Sequence, residues 1–306
     1  WAIDGGPASY ARQGGVIAYR LDNRKKEKIY KSMADYLLYA KQYYGIEFSM
    51  FSFNESDLGI DVLHTPQEHA DFIKEFGAYL AELNLPTRML LGDNSDATTF
   101  DFILPALNNS ETHKYIGAVS FHSWRGCDDV TLRKWADAAK EINVPLLVGE
   151  GSTDAAAHGY AEIFNESTFA LYEINLYTRI CTICQPLSIL QWQLTSDYSL
   201  LWGDGIYGSK GPLRPTQRFW NIKQLASTPA DALAIPVSSS KKNVNCAAFG
   251  NMVRGEYAVH MVNNGADCEA VISGIPAEVK KLKVYVTNTK DCMKETAVKV
   301  ENGLVR

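Results

Sequence analysis

The chain has 306 residues, of which 46% are hydrophobic and 21% charged, and a net charge of −5, the make-up of an ordinary globular protein long enough for one large domain and a small one. The two signs of charge are interspersed, with no basic block or stripe, so nucleic acid has no electrostatic footprint here. No apolar run approaches the roughly 20 residues that cross a bilayer.

In chain order, residues 1–24 are rich in Gly, Ala and Ser and read as loop. Apolar residues at helical spacing (Ile29, Met33, Tyr36, Leu37, Ala40) predict a helix over 25–44. A short β-prone run over 46–53 ends in Asn54-Glu55. Thr65-Pro66-Gln67-Glu68 is a helix start, with a capping Thr, Pro in the first turn and a carboxylate at the third position; that helix runs to about Leu83. Strands are expected over 88–92, 116–122, 144–149 and 187–193. Helices are expected over 100–107, 130–142, 160–184 and 214–226. Alternating strands and helices with apolar strand runs mean a parallel sheet covered by helices.

After Thr228-Pro229 the pattern changes to short β-prone runs (243–249, 256–263, 270–273, 283–288, 297–300) separated by Gly, Pro, Asn and Asp. That is an antiparallel β module. The boundary is placed near Ala230, giving an α/β region over 1–230 and an all-β region over 231–306. Five strand-helix units precede it, whereas a closed (β/α)₈ barrel has eight strands. A barrel reading therefore puts Trp1 at the end of the third strand, leaves the first three strands outside the chain, and makes the chain a fragment of a longer protein. A doubly wound open sheet is the structural alternative.

Six cysteines (Cys127, Cys181, Cys184, Cys246, Cys268, Cys292) are too few for a disulfide scaffold at this length. Cys181 and Cys184 fall in a predicted helix without a second pair at zinc spacing, and read as half-buried thiols. One bridge among Cys246, Cys268 and Cys292 is possible, and spacing does not choose it. The chain opens at Trp1 without a leader, so either a signal peptide is gone or the sequence was cut upstream. Asn54-Glu55-Ser56 is a glycosylation acceptor sequence.

Reacting groups on parallel barrels sit where strands finish. Glu55 and Glu150 each directly follow an apolar strand, three strand-helix units apart, so that in a barrel they face one another across the mouth. Glycoside hydrolysis needs such a pair: one protonated carboxyl for the leaving oxygen and one carboxylate to attack the sugar carbon, with retention at about 5–5.5 Å separation. Each ionised member raises the pKa of its partner. Taken singly, either Glu is more readily a surface or salt-bridged residue than a catalytic one.

Phe53-Asn54-Glu55 after the fourth strand of such a barrel and Gly149-Glu150-Gly151 after the seventh resemble the motifs of clan A glycoside hydrolases. Ala118 to Trp124, with His122 and Trp124 at its end, resembles the clan's sixth strand, and Leu190-Gln191-Trp192-Gln193 its eighth. The appended β module points to family 30, whose members join the barrel to a β-sandwich; Ser56 stands where that family usually has Pro. The resemblance implies a (β/α)₈ catalytic barrel, N-terminally incomplete, followed by a β-sandwich. It also implies Glu55 as general acid/base, Glu150 as nucleophile, a carbohydrate substrate, and a secreted or periplasmic location.

Asn54 is assigned to the sugar 2-hydroxyl, against a turn-capping role. Trp192 is assigned as an apolar platform under a pyranose, against a plain core Trp. His122 is expected to hold one of the carboxyls, and Trp124 to stack at the rim. Asp93 is expected to bind a sugar hydroxyl or cap a loop. Asp197, Tyr198 and Trp202, after the last strand, are expected to line outer subsites. No phosphate loop, serine elbow or metal-spaced cluster is present, so neither cofactor nor metal is implied; oligomeric state stays open. The rival classes are a non-catalytic carbohydrate-binding protein on the same scaffold, and a lyase or aldolase. The last needs a strand-end Lys, where this chain has Glu55, Asp93, His122, Glu150 and Gln193.

Overall fold

The computed structural model describes residues 9–13, 16–60, 62–154 and 159–305. The expectation for Trp1 lies outside them. Where loop was expected, Ser9–Gln13 (β1) and Val16–Arg20 (β2) pair as an antiparallel hairpin. The run Val16-Ile17-Ala18-Tyr19 has the β-branched and aromatic make-up of a strand, which the Gly-rich average of the segment hid. The predicted helical spacing becomes α1, Lys26–Tyr44, which buries Ile29, Tyr30, Met33, Ala34, Leu37 and Ala40. It stops at Gly45, whose left-handed backbone (φ 65°) donates its N–H to the carbonyls of Ala40 and Lys41, a conformation glycine adopts without steric cost.

The run over 46–53 contributes only Met50–Phe51 (β3) to a ladder, since it pairs with one neighbour and lies at the sheet edge. Next comes α2, Pro66–Glu82, opened by the predicted capping box between Thr65 and Glu68. β4 spans Arg88–Asn94. The helix expected over 100–107 is a 3₁₀ stretch, Ala97–Ile103, that widens into a single α turn, Leu104–Leu107 (α3); Pro105 falls in the first turn of α3. A further turn, Ser110–His113 (α4), leads into β5, Ile116–Phe121. After α5, Asp129–Glu141, follows β6, Leu146–Gly151.

The chain divides into two compact units, Trp1–Thr153 with Ile183–Leu190, and Asp154–Thr182 with Gln191–Arg306. In the first, β3, β4, β5 and β6 lie side by side in sequence order, each parallel to the next. The fifth position is taken by Ser188–Gln191 (β7), where the Leu187 N–H reaches the Leu146 carbonyl at 2.7 Å. The five form a curled half-barrel. Leu90, Ala118 and Leu147 form one core layer with Met50 against it. Trp135 of α5 is fully buried, and its indole N–H meets the Ala97 carbonyl at 2.9 Å.

In the second unit the helix expected over 160–184 is split. A 3₁₀ turn, Ala161–Asn165, is followed by extended Glu166 and then by α6, Ser167–Ile183. The Glu166 carboxylate takes the hydroxyls of Tyr160 (2.8 Å) and Thr168 (3.3 Å), local bonds that compete with helix continuation. Leu201–Trp202 (β8) pairs with Arg214–Pro215 (β9), so the last helix, Gln217–Leu225 (α7), starts three residues later than expected, behind a Thr216 cap. Arg218 and Glu173 form a bidentate pair at 2.7 and 2.8 Å, almost without solvent exposure. The guanidinium also holds the carbonyls of Tyr198 and Ser199 at 2.9 Å and stacks near Phe164 and Phe169.

Beyond Ala230 the second unit contains antiparallel strands: Leu233–Ile235 (β10), which was not expected, joins Val244–Asn251 (β11) and Glu256–Asn263 (β12) in one sheet, and Lys281–Val286 (β13) pairs with Lys294–Lys299 (β14) in another. The strand expected over 270–273 reduces to a single bridge between Ile272 and Val305. All six cysteines are free thiols, so the bridge held possible among Cys246, Cys268 and Cys292 is not formed. Burial pushes the Cys181 thiol up to about 12, which makes it inert. Among the described residues no helix is long and apolar enough to cross a membrane.

Candidate active site

The C-terminal ends of β3 to β6 bring a set of polar side chains together. β4 is irregular at its end: Gly92 pairs with Ser120 and Asn94 with Phe121, leaving Asp93 as a bulged residue with φ 57°. A bulge re-aims the side chain it carries. Glu55, just past β3, is also left-handed (φ 49°), and its N–H donates to the Asp93 carbonyl at 3.1 Å. The His122 N–H donates to the Asn94 carbonyl (2.9 Å), and the Ser123 N–H to the Glu150 carbonyl (3.0 Å). Backbone bonds between strand ends thus set the heights of Glu55, Asp93, His122 and Glu150.

His122 is the hub. Only 1% exposed, its ring places Nδ1 at 2.9 Å from Glu55 Oε1 and 3.4 Å from Glu150 Oε2. Nε2 faces Asp93 Oδ1 at 3.4 Å, a distance at which charge attraction outweighs directional bonding. Glu150 receives a donor on each oxygen, Asn54 Nδ2 at 3.2 Å on Oε1 and Trp124 Nε1 at 3.1 Å on Oε2. Glu55 and Glu150 are each 8% exposed, so both are largely withdrawn from bulk water while remaining reachable. Asp93 Oδ2 takes the Ser52 hydroxyl at 2.5 Å and Oδ1 the Ser120 hydroxyl at 2.8 Å.

Burial alone lowers the pKa of the His122 ring, but the contacts of Asp93 and Glu55 and the negative charges of Asp93 and Glu150 outweigh it and push the ring up to about 10. Burial pulls Asp93 the other way, yet His122 and the two serine hydroxyls hold its carboxyl below the usual range. For Glu150, burial and the nearby Glu55 charge raise the carboxyl pKa, against the lowering effects of the His122 cation, Trp124 and Asn54. A histidine whose folded pKa is raised contributes stability in full below its unfolded pKa of about 6.5, and loses it as pH climbs through the folded value. We therefore expect the unfolding free energy of the wild type to fall by a few kcal/mol between about pH 6.5 and 10. His122→Gln should lack that slope, as urea titrations across the range will read out.

Of the residues singled out from sequence, Glu55, Glu150, Asn54, His122, Trp124 and Asp93 meet in the first unit. Trp192 and Trp202 belong to the second, where both are half-buried. Trp202 lies in β8 rather than in loop, and its ring is 6.0 Å from that of Tyr207. The Asp93 carboxylate is engaged by Ser52, Ser120 and His122 instead of being presented to a cleft. Trp124 directs its N–H to Glu150. Nothing in the sequence set Ser52 and Ser120 apart, and Gly149 stood out only as part of the Gly149-Glu150-Gly151 motif. The signal for Gly149 was present: a Cβ there would lie 2.3 Å from Asp93 Oδ1, 3.0 Å from Ser120 Oγ and 3.1 Å from His122 Nε2, so the glycine before Glu150 is needed for space.

One donor atom each from Glu55, His122 and Glu150 lie within 4.8 Å of one another, and these are residue types that ligate divalent cations. A metal ligand must offer an imidazole lone pair, whereas the three carboxylates around His122 favour its protonated form. The trio is arranged as a charge-paired cluster, able to exchange protons and to stabilise a carboxylate.

No protein-family model matches the chain, and no curated protein does. Solved structures do. An endo-β1,6-glucanase is similar with a TM-score of 0.65 at 17% identity, over 94% of this chain and 63% of its own. A conserved exported protein from Bacteroides fragilis gives 0.68 at 13%, over 93% and 68%. The catalytic domain of the family 30 glycoside hydrolase xylanase C from Talaromyces cellulolyticus gives 0.65 at 18%, over 94% and 68%. The chain thus spans less than two thirds of the length of the glucanase. At these identities the likeness is one of fold: the chain resembles clan A glycoside hydrolases, and family 30 among them, in its glycosidase-type, TIM-like architecture.

Proposed function

We propose that this chain carries the active site of a retaining glycoside hydrolase acting on a β-linked glycoside or polysaccharide. The observation that carries this reading is the Glu55–Glu150 pair. One oxygen of each lies within 4.8 Å of the other, in keeping with the closer carboxyl spacing of retaining enzymes. Glu150, with hydrogen-bond donors on both oxygens, is the nucleophile; Glu55 is the general acid/base.

In the first step the Glu55 carboxyl gives its proton to the glycosidic oxygen while a Glu150 oxygen bonds to the anomeric carbon, and the carbon–oxygen bond to the leaving group breaks. In the second, the Glu55 carboxylate takes a proton from water, whose oxygen replaces Glu150 at that carbon. Configuration is inverted twice and so retained. The His122 cation stabilises the carboxylates through both steps, held charged by Asp93. Asn54 is assigned to the sugar 2-hydroxyl, Trp124 to the rim, and Trp192 and Trp202 to sugar stacking.

The N-terminally incomplete barrel over 1–230, the β-sandwich over 231–306 and a secreted or periplasmic location complete the proposal; the exported neighbour supports the last. The substrates named for the neighbours, β1,6-glucan and xylan, head the panel to test. Incubation with 2-deoxy-2-fluoro β-glycosides carrying a good leaving group should leave one glycosyl adduct on the peptide containing Glu150, seen by mass spectrometry. Saturable glycan binding without adduct or hydrolysis would instead mark a binding protein on a hydrolase scaffold.

A further inference from the structure

Glu55 occupies a backbone conformation that costs an L-residue roughly 1–2 kcal/mol and persists only where its surroundings over-determine it. β3 cannot do this alone, since only Met50 and Phe51 pair. The tether before the turn is the Glu55 N–H on the Asp93 carbonyl. Within the turn, the N–H groups of Leu58 (3.1 Å) and Gly59 (2.7 Å) donate to the Glu55 carbonyl, and the His64 N–H closes the loop on the Ser56 carbonyl at 2.9 Å. These bonds shape the loop without fixing it to the sheet beyond Asp93.

Asp57 provides a second attachment. Its Oδ1 accepts the Ser95 N–H at 2.9 Å, and its Oδ2 accepts the hydroxyls of Ser95 and Thr99, each at 2.8 Å. Ser95 is buried and directly follows β4. Thr99 is held in turn by Asn94, whose Nδ2 reaches its carbonyl and its hydroxyl at 2.8 Å. The clamp therefore ends on the same strand end that carries Asp93. Glu55 sits between two attachments to β4, one two residues after it and one at its own N–H. A carboxylate with three donors, including a backbone N–H, is a strong acceptor set.

We propose that Asp57 is a positioning residue for Glu55: by pinning the loop after β3 to the loop after β4, it keeps the Glu55 carboxyl at hydrogen-bond distance from His122 and at the height of Glu150. The inference rests on the reading of Glu55 as the acid/base. An Asp57 that merely braced the loops would support every substrate equally. One that aims the general acid matters most where the leaving group needs a proton, and little where it departs unaided.

The test uses Asp57→Ala and Asp57→Asn in the full chain, with kcat/KM measured on a dinitrophenyl β-glycoside and on an alkyl β-glycoside. The His122 ring N–H resonance is followed by ¹⁵N-resolved NMR. Asp57→Ala should lower the alkyl glycoside by on the order of 10²-fold, and the dinitrophenyl glycoside by less than about threefold. Asp57→Asn should recover most of the loss, since its amide oxygen still accepts the Ser95 N–H. The His122 resonance should move in Asp57→Ala, as the Glu55 contact loosens. Equal loss on both substrates, no loss on either, or an unmoved resonance would overturn the proposal. If the wild type cleaves neither glycoside, the glycosidase reading has failed, and the resonance alone decides: a shift supports the clamp and a fixed signal overturns it. Should Asp57→Ala not fold, Thr99→Val, which removes a donor to Asp57 Oδ2, is judged by the same two readings.

Discussion

Glu150→Ala is expected to lower kcat on an aryl β-glycoside by on the order of 10⁴- to 10⁶-fold, the scale seen when a covalent nucleophile is removed. Both Glu150 oxygens are positioned by donors, Asn54 and Trp124, so no neighbouring carboxylate is placed to substitute; Asp93 is turned to the serines. The cavity left by the side chain admits a small anion. Added azide should restore turnover and give the α-glycosyl azide, since a single displacement inverts. Glu55→Ala should behave oppositely, losing about 10²- to 10⁴-fold on poor leaving groups and giving the β-glycosyl azide. A Glu150→Ala protein that keeps its activity on the aryl glycoside would remove Glu150 from the mechanism.

Gly149→Ala adds one methyl group and is expected to cost both stability and activity. The new carbon would meet Asp93 Oδ1 at 2.3 Å, with Ser120 Oγ and His122 Nε2 also in close contact. Side-chain ends often yield to such intrusions at little cost, but these three are buried and hold one another. To move, Asp93 must give up Ser120 or Ser52 and retreat from His122. Overpacking a filled site costs about 1–3 kcal/mol, and losing the charge pairing adds to it. We expect a loss of about 3 kcal/mol in urea unfolding, with activity reduced by on the order of 10²-fold as His122 and Glu55 shift. A Gly149→Ala protein within about 0.5 kcal/mol of wild type and fully active would show that the cluster yields readily to the added methyl group.

Periodicity and local chemistry made much of the first unit legible in the sequence. The spacing of Ile29, Met33 and Leu37 is a property of one helix, and the Thr65–Glu68 box is written in four consecutive residues. The strand ends carrying Glu55 and Glu150 announced themselves by motif. What stayed hidden depends on contacts through space. His122 and Glu55 are 67 positions apart, and nothing near either tells that the ring would sit on three carboxylates. Asp93 looked like a loop residue free to meet sugar, because the bulge that turns it toward Ser52 and Ser120 arises from the register of β4 on β5. Gly149 was visible as part of a motif, while its purpose, space for Asp93, was not. In the second unit, Glu166 interrupted a helix whose apolar spacing ran on, since bonds from Tyr160 and Thr168 favour an extended residue there.

If Glu55 and Glu150 act together with net retention, the anomer released first reveals it. Following cleavage of a β-linked substrate by proton NMR, before mutarotation sets in, should show the β-anomer of the product ahead of the α-anomer. If the α-anomer appears first, the reaction inverts, and the account of Glu150 as a covalent nucleophile is contradicted.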